Sequence, residues 1–427
     1  MTTIAAIVLA LTQAFTARQD VGLIRGAGIV VMQDGEIQTM HLGDAANDHS
    51  RFELGSISKS FAGVALAMAV NDRLVDLDKP ISEYVPELSG TFVGTVTARE
   101  LATHSAGLGM SYMSPAGVQT DHDSEADLIA FLRGYQQVYP LGQRQYSNLG
   151  FHTLALVLSR VRGKPYSSLV REEILQPLGM GETDFITSAV RPTLLLQGYA
   201  VTLDPWTYDW FSDLACGAGG VYSDIFDMTK YLVANSHPDE SPLGQAMALS
   251  HVEGLGWDSH PGETPVWKNG AMVAGFSTYM GFDPASGSGT VVLTNVLDLT
   301  VTMGLGQIAM GGQDDSLPAE AFTSFSVDTL VAFDGGKYVS ADGRLGLNFH
   351  AMPGGFLKID EVTDGVPLPV RLLNYRAGVA LVNNGPGIDD IVVYDVKSPA
   401  KLTYKEFMNQ WDEKGQPVFQ DILFTRQ

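Results

Sequence analysis

The sequence predicts an α+β protein in two parts: a mixed helix-and-strand domain, then a small all-β barrel or sandwich. Three observations carry this. An alternating hairpin opens the chain, long apolar helical stretches fill its middle, and from about Ala321 the texture changes. There, short alternating strands are separated by Asp334-Gly-Gly, Asp342-Gly, Pro353-Gly-Gly, Asp364-Gly and Asn383-Asn-Gly-Pro-Gly turns. Residues 314–318 read as the linker, dividing the chain into 18–313 and 321–427.

With 427 residues, 45% of them hydrophobic and 17% charged, the chain can bury a large core. Lysine and arginine number 26 against 48 acidic residues, a formal charge of -22 that disfavours nucleic acid and anionic membrane surfaces as partners. The single cysteine, Cys216, excludes an internal disulfide and a thiolate-rich metal site. Residues 4–11 form an apolar run followed by Ala14 and Ala17, so residues 1–17 are a candidate export signal, although Met1-Thr2-Thr3 lacks the usual basic residue. Export would make the protein periplasmic or secreted. The same run also reads as a helix packed on the body, which leaves a cytoplasmic setting open. No run reaches the roughly 18 apolar residues of a membrane span.

In order, residues 27–32 and 36–41 form a hairpin around Asp34-Gly35. Residues 52–61 turn from a short apolar strand into a long apolar helix. Thr97 and Glu100 make a capping box for a short helix running to about His104. Residues 105–123 are a glycine- and serine-rich loop, a lid or substrate rim. Helices follow at 125–135, 149–161 and 166–175, the second stopped by Gly163 and Pro165. After an irregular stretch at 181–213, Ser223 caps another helix. Strands are predicted at 254–257, 266–270, 276–282 and 289–295, then a helix at 301–310 stopped by Gly311-Gly312.

The chemistry starts at Ser56 and Lys59, spaced i and i+3 on one face of a helix's first turn. The helix N-terminus favours negative charge near Ser56, and the lysine can act as a base if burial lowers its pKa. Tyr146-Ser147-Asn148 follows at a loop-to-helix junction, and Lys268-Asn269-Gly270 on a strand. Taken singly these are a helix cap with a surface lysine, a packed aromatic, an N-cap and an edge-strand lysine.

Taken in order, with Phe52 to Phe61, Leu101-Ala-Thr-His-Ser-Ala-Gly107, Gln176-Pro-Leu-Gly-Met180 and Gly219-Gly-Val-Tyr-Ser223, they resemble the serine β-lactamase and penicillin-binding-protein family. Tyrosine at position 146 points to the class C branch, with its related carboxylesterases, D-peptidases and acyltransferases. The resemblance spans about residues 26–310. It implies an antiparallel sheet with helices on both faces, joined to an all-helical lobe, with Ser56 in the cleft between them. It also implies roles. Ser56 would be the nucleophile, and Lys59 and Tyr146 would share the proton work, the phenolate being favoured by two nearby lysines. Lys268 would add positive charge beside Tyr146 and help place an anionic substrate group. The backbone N–H groups of Ser56 and Ala271 would form the oxyanion hole. Asn148, Asn269, Gly270 and Tyr112 would line the substrate, with no metal or cofactor.

Two departures bear on substrate. Asn269 stands where β-lactamases and transpeptidases place a hydroxyl residue, and the 105–123 loop, with Met110, Tyr112 and Met113, does not match the lactamase pattern. Both favour a carboxylesterase or D-amino-acid peptidase acting on a small ester, amide or short peptide. A β-lactamase or acyltransferase is the alternative. A non-catalytic penicillin-binding-like sensor is the reading of another class. Other motifs are missing: there is no G-x-S-x-G elbow and no H-E-x-x-H, and His251-Val-Glu253 lacks the cysteine pair of a zinc deaminase. His104 reads as a structural hydrogen-bonding residue.

Overall fold

The computed structural model describes residues 3–20, 23–45, 49–110, 124–200, 203, 205, 206, 208, 210–272, 274–312, 325, 327–340, 345–352, 356–363, 366–376, 379–383, 388–394, 399–411 and 417–427. Tyr112 and Met113, most of the 105–123 loop and the 314–318 linker lie outside these residues.

The chain opens with helix α1 (Ile4–Asp20), which takes up the N-terminal apolar run and buries Ile7, Leu11 and Phe15. Strands β1 (Gly26–Gln33) and β2 (Glu36–Gly43) form the expected hairpin, with Gln33 paired to Glu36. Its two turn residues both have positive φ, 53° at Asp34 and 79° at Gly35, as a tight two-residue hairpin turn requires. Strand β3 (Phe52–Glu53) then leads through a 3₁₀ turn at Gly55–Ile57 into helix α2 (Ser58–Asn71). Ser56 therefore sits just ahead of the α-helix rather than in its first turn. α2 is buried nearly all round, which makes it a central helix rather than a surface one.

The helical part comprises α3 (Phe92–Thr95), α4 (Ala98–Ala102), α5 (Glu125–Gly134), α6 (Asn148–Arg162) and α7 (Tyr166–Val170). The Thr97–Glu100 capping box is present, and α6 ends at Gly163 with φ 66°. The cap of α6 is Ser147, whose Oγ accepts from the Gly150 N–H at 2.9 Å. Asn148 is thereby released from capping.

Short strands β4 (Asp184–Phe185) and β5 (Val221–Ser223) form a small sheet with β3. Helix α8 (Ile225–Ser236) follows, capped by Asp224 rather than Ser223: Asp224 Oδ1 accepts from the Asp227 N–H at 2.8 Å. Helix α9 (Pro242–Glu253) has no counterpart in the sequence expectations, and residues 254–257 form turns, not a strand. Strands β6 (Val266–Met272), β7 (Phe276–Asp283) and β8 (Ser288–Thr294) and helix α10 (Leu299–Ala309) complete this part.

The main sheet is antiparallel in the order β2-β1-β8-β7-β6, so β6 is an edge strand. Alternation along β1 decides the layering. Ile29 and Val31 join α1 and α10 in one apolar cluster, while Val30 and Met32 join α2, α6 and α8 in the other. Helices thus cover both faces.

Among the described residues, the last part has a helix, α11 (Val327–Phe333), and eight strands: β9 (Lys337–Ser340), β10 (Leu345–Met352), β11 (Phe356–Thr363), β12 (Val366–Arg376), β13 (Val379–Asn383), β14 (Ile388–Tyr394), β15 (Lys401–Trp411) and β16 (Pro417–Arg426). The strands close into a barrel through pairing of β16 with β9, so the β-module is a barrel, not a sandwich. Among the described residues this closure leaves the barrel sheet without a free edge. Among the described residues no helix is long and apolar enough to cross a membrane.

Candidate active site

Ser56 is held where the β3–α2 connection crosses the edge strand β6. Leu54 is tied on both sides, its N–H to the Val221 carbonyl at 2.8 Å and its carbonyl to Thr278 Oγ1 at 2.7 Å. The approach is close enough to require glycine on each side. A Cβ on Gly55, already at φ 53°, would lie 2.9 Å from the Ala271 nitrogen. One on Gly270 would lie 2.2 Å from the Leu54 carbonyl and 2.8 Å from the Ser56 nitrogen. Gly270 thus admits the serine turn against β6.

Two polar side chains converge on Ser56 Oγ. It lies 2.5 Å from the Tyr146 phenolic oxygen and accepts from Lys59 Nζ at 3.0 Å. Lys59 is fully buried and also donates to Asn148 Oδ1 at 2.8 Å and to the Ala218 carbonyl at 2.7 Å. Three fixed acceptors match the three protons of an ammonium group. Ser56, Tyr146 and Asn148 keep part of their surface open while Lys59 does not. The serine is reachable, and its lysine is enclosed.

Tyr146 is clamped by aromatic and charged neighbours. His104 stacks on it with centroids 4.4 Å apart, and its Nδ1 accepts from the Ser147 N–H at 3.1 Å. Burial, then the charges of Lys268, Lys59 and Arg144, hold the imidazole well below its ordinary pKa, so His104 stays neutral. The Nζ atoms of Lys59 and Lys268 lie 4.9 and 5.2 Å from the Tyr146 ring centroid. Yet the phenol is not pushed toward phenolate, as two lysines led us to expect. Burial drives its pKa well above the usual phenol value and the Asp258 charge adds to this, against the Ser56 hydrogen bond and Arg144.

Asp258 is the residue the sequence motifs missed. Lys268 is fully buried, and its Nζ lies 2.6 Å from Asp258 Oδ1. The charge of Lys268, expected to help place an anionic substrate group, thus lies against a carboxylate of the protein itself. Burial lowers the Lys268 pKa and Asp258 opposes the drop. Nothing in a three-residue motif encodes this partner, which reaches Lys268 from the turn after α9. Asp258 Oδ2 also accepts from the Asn269 N–H at 3.2 Å, so that N–H points off the sheet edge. The Ala271 N–H, two residues on, points the same way, toward the Ser56 turn. Asn269 donates from Nδ2 to Met303 Sδ at 3.7 Å. Of the residues expected to line the substrate, Asn148, Asn269 and Gly270 are at or beside this centre, and Tyr112 lies outside the described residues.

One group of the described residues could hold a metal: His49, Glu182 and Asp224, with ligand atoms within 4.8 Å of one another. Glu182 is ion-paired with Arg51, and Asp224 both caps α8 and meets His49 Nδ1 at 3.3 Å. These contacts account for the cluster as a polar network around the α8 terminus.

A reachable serine, an enclosed lysine and a tyrosine in mutual contact on this α+β scaffold define the class: a serine hydrolase. The Beta-lactamase family model matches residues 11–306, and the chain belongs to the β-lactamase family. It is 28% identical over 285 residues to a β-lactamase of Pseudomonas fluorescens, covering 61% of this chain and 76% of that protein. It is 29% identical over 269 residues to a β-lactamase of Yersinia enterocolitica, covering 56% of this chain and 65% of that one, just under two thirds of its length. A solved β-lactamase/D-alanine carboxypeptidase of Pseudomonas syringae superposes with a TM-score of 0.64 at 22% identity, covering 74% of this chain and 99% of that one. Class C β-lactamases share the fold.

Proposed function

We propose that the protein hydrolyses a small β-lactam or D-alanyl amide through an acyl-enzyme on Ser56. The observation that carries this is the three-way contact of Ser56 Oγ with Lys59 Nζ and the Tyr146 oxygen. Ser56 would attack the substrate carbonyl, and the 2.5 Å contact would take its proton to Tyr146 once the Lys59–Tyr146 pair has lost one proton. Lys59, donating to Ser56 Oγ, would stabilise charge there. The phenol would then return the proton to the leaving atom, which puts the leaving group on the Tyr146 side. The Ser56 and Ala271 N–H groups would receive the carbonyl oxygen, one such donor lowering the barrier by roughly 3 kcal/mol. A water would hydrolyse the acyl-enzyme. We assign this chemistry to residues 18–313, with the barrel at 321–427 outside it.

Kinship with β-lactamases and a D-alanine carboxypeptidase puts lactam and D-alanyl amide bonds ahead of simple esters, the reverse of the order that the sequence departures suggested. An esterase is the second reading. It is favoured by Asn269, which offers an amide already engaged with Met303 where the family resemblance calls for a free hydroxyl. Parallel rates on a chromogenic cephalosporin, a D-alanyl anilide and short p-nitrophenyl esters, with Ser56→Ala as control, test both. Lactam or D-amide turnover lost in Ser56→Ala is the expected result. Ester turnover alone selects the second reading, and a stable acyl adduct without turnover points to a sensor.

A further inference from the structure

The Tyr146 oxygen can exchange a proton with Ser56 only while the phenol is held in place, and three contacts from one residue, His104, bear on it. The backbone carbonyl of His104 accepts from the Gln145 N–H at 2.7 Å, and its Nδ1 accepts from the Ser147 N–H at 3.1 Å. Its ring stacks on the Tyr146 ring, with centroids 4.4 Å apart and planes inclined by 29°. His104 thus grips the residues on both sides of Tyr146 and one face of the phenol itself. Phe151, in the first turn of α6, meets the imidazole at 5.0 Å, and His104 is only 2% exposed.

The chemistry of the ring fits this task. A backbone N–H can only donate, so Nδ1 must offer its lone pair and the ring proton sits on Nε2. A protonated imidazole has no acceptor and would add a positive charge near Lys59, Lys268 and Arg144. Burial and those same charges keep the ring neutral. The backbone of His104 is left-handed, with φ 61°, a conformation that among residues other than glycine favours asparagine, aspartate and histidine. The Ser147 that it holds is the N-cap of α6, so the bond also fixes the turn from which Tyr146 projects. Removing the acceptor would take that partner from a buried N–H and favour a shift of the turn.

We propose that His104 is a positioning residue for acyl transfer, which keeps the Tyr146 oxygen on Ser56 Oγ and acts through the phenol rather than on the substrate. The role rests on the acyl-enzyme reading of Ser56. A misplacement of about 1 Å is enough to slow such a reaction about 100-fold. Two variants separate the two side-chain contacts. His104→Phe keeps a ring to stack on Tyr146 but has no acceptor for the Ser147 N–H. His104→Asn keeps an acceptor, its Oδ1 standing as many bonds from Cα as Nδ1 does, and suits the positive φ, but it has no ring.

The test measures kcat and KM separately on whichever of the chromogenic cephalosporin, the D-alanyl anilide and the p-nitrophenyl esters the wild-type protein turns over fastest. His104→Phe is expected to lower kcat about 10- to 100-fold with KM changed less than about threefold. His104→Asn is expected to lower kcat less, by about three- to tenfold. Both are repeated in the Tyr146→Phe protein, where each is expected to cost less than about twofold more, because the phenol that His104 positions is gone. A merely structural role would give the same loss in both backgrounds, and that result overturns the proposal. So does a near wild-type kcat in either variant, or a loss seen only as a higher KM. Urea midpoints check folding, and should His104→Phe not fold, the same cycle on His104→Asn decides. Ser56→Ala separates the two levels. If it abolishes hydrolysis, the acyl-enzyme reading stands and the cycle decides on His104. If hydrolysis survives, that reading fails and this inference falls with it.

Discussion

The oxygen of Ser56 and the phenolic oxygen of Tyr146 lie 2.5 Å apart, although their residues are ninety positions apart in the chain. A contact this short between two hydroxyl-type groups is a route for one proton. Ser56→Ala is expected to lower acyl-enzyme turnover at least about 1000-fold, and Tyr146→Phe at least about 100-fold. Steady-state rates on any accepted acyl donor check this. A Tyr146→Phe protein with near wild-type kcat would remove the phenol from the proton path.

The direction of the Tyr146 shift gives a pH profile. Burial and Asp258 hold the proton on the phenol, while Lys59 Nζ lies within hydrogen-bond distance of three acceptors. The reactive form needs one proton fewer in that pair. We therefore expect kcat/KM to rise with pH and to reach no plateau below about pH 9, given an ordinary phenol value near 10. A profile already flat at neutral pH would contradict the assignment.

Gly270→Ala tests the seating of the serine turn. The added methyl would meet the Leu54 carbonyl at 2.2 Å and the Ser56 nitrogen at 2.8 Å, both backbone atoms with little room to yield. Expected are a roughly 10- to 100-fold fall in kcat, since the Ser56 N–H proposed as an oxyanion donor would move, and a stability loss of about 1–3 kcal/mol. Circular dichroism with urea titration separates the two. A variant stable and fully active would show that β6 and the Ser56 turn are not in this contact.

Helix α1 tests how the N-terminal run is used. Leu11 is completely buried in the cluster formed with β1 and α10. Leu11→Ala in the full chain should cost about 2–5 kcal/mol. An unchanged urea midpoint would mean that this face carries none of the core.

His251 predicts acid sensitivity. It is largely buried, its Nε2 lies 3.0 Å from Asn235 Oδ1, and burial lowers its pKa to about 4. The unfolded chain takes up a proton near pH 6.5 that the folded chain refuses until about pH 4. The folded state is thus favoured above that window and loses stability as pH falls through it, by up to about 1.4 kcal/mol per pH unit for this one group. Unfolding midpoints from pH 7 to 4 should show a shallower acid slope in His251→Gln. An identical slope in that variant would mean that His251 titrates as an ordinary histidine.

Much of the fold was legible because its signals are local. The Asp34-Gly35 turn, the Thr97–Glu100 box and the Gly163 stop each act within a few residues, and the structure has all three. Capping was harder to read. Ser147 and Asn148 are both good caps by type, as are Ser223 and Asp224, and tertiary contacts choose between neighbours. Helix α9 escaped notice because its buried side, Leu243, Gly244, Ala246, Met247 and Ser250, mixes small and polar residues with only two large apolar ones. At the site, Ser56, Lys59, Tyr146 and Lys268 were marked by residue type and order. Asp258 was not, since a carboxylate in a turn looks like any solvated acid until folding brings a buried lysine against it.

The three-acceptor cage of Lys59 is complete only while the serine is free. In the resting site every proton of the ammonium is spoken for, one of them by the Ser56 hydroxyl oxygen. Once that oxygen becomes part of an ester, it is a much weaker acceptor, and one ammonium proton loses its place beside the new carbonyl. Acylation itself thereby sets loose a donor that a second nucleophile, water or amine, can accept from. An acyl-enzyme on Ser56 would thus turn one Lys59 proton toward the nucleophile that resolves it.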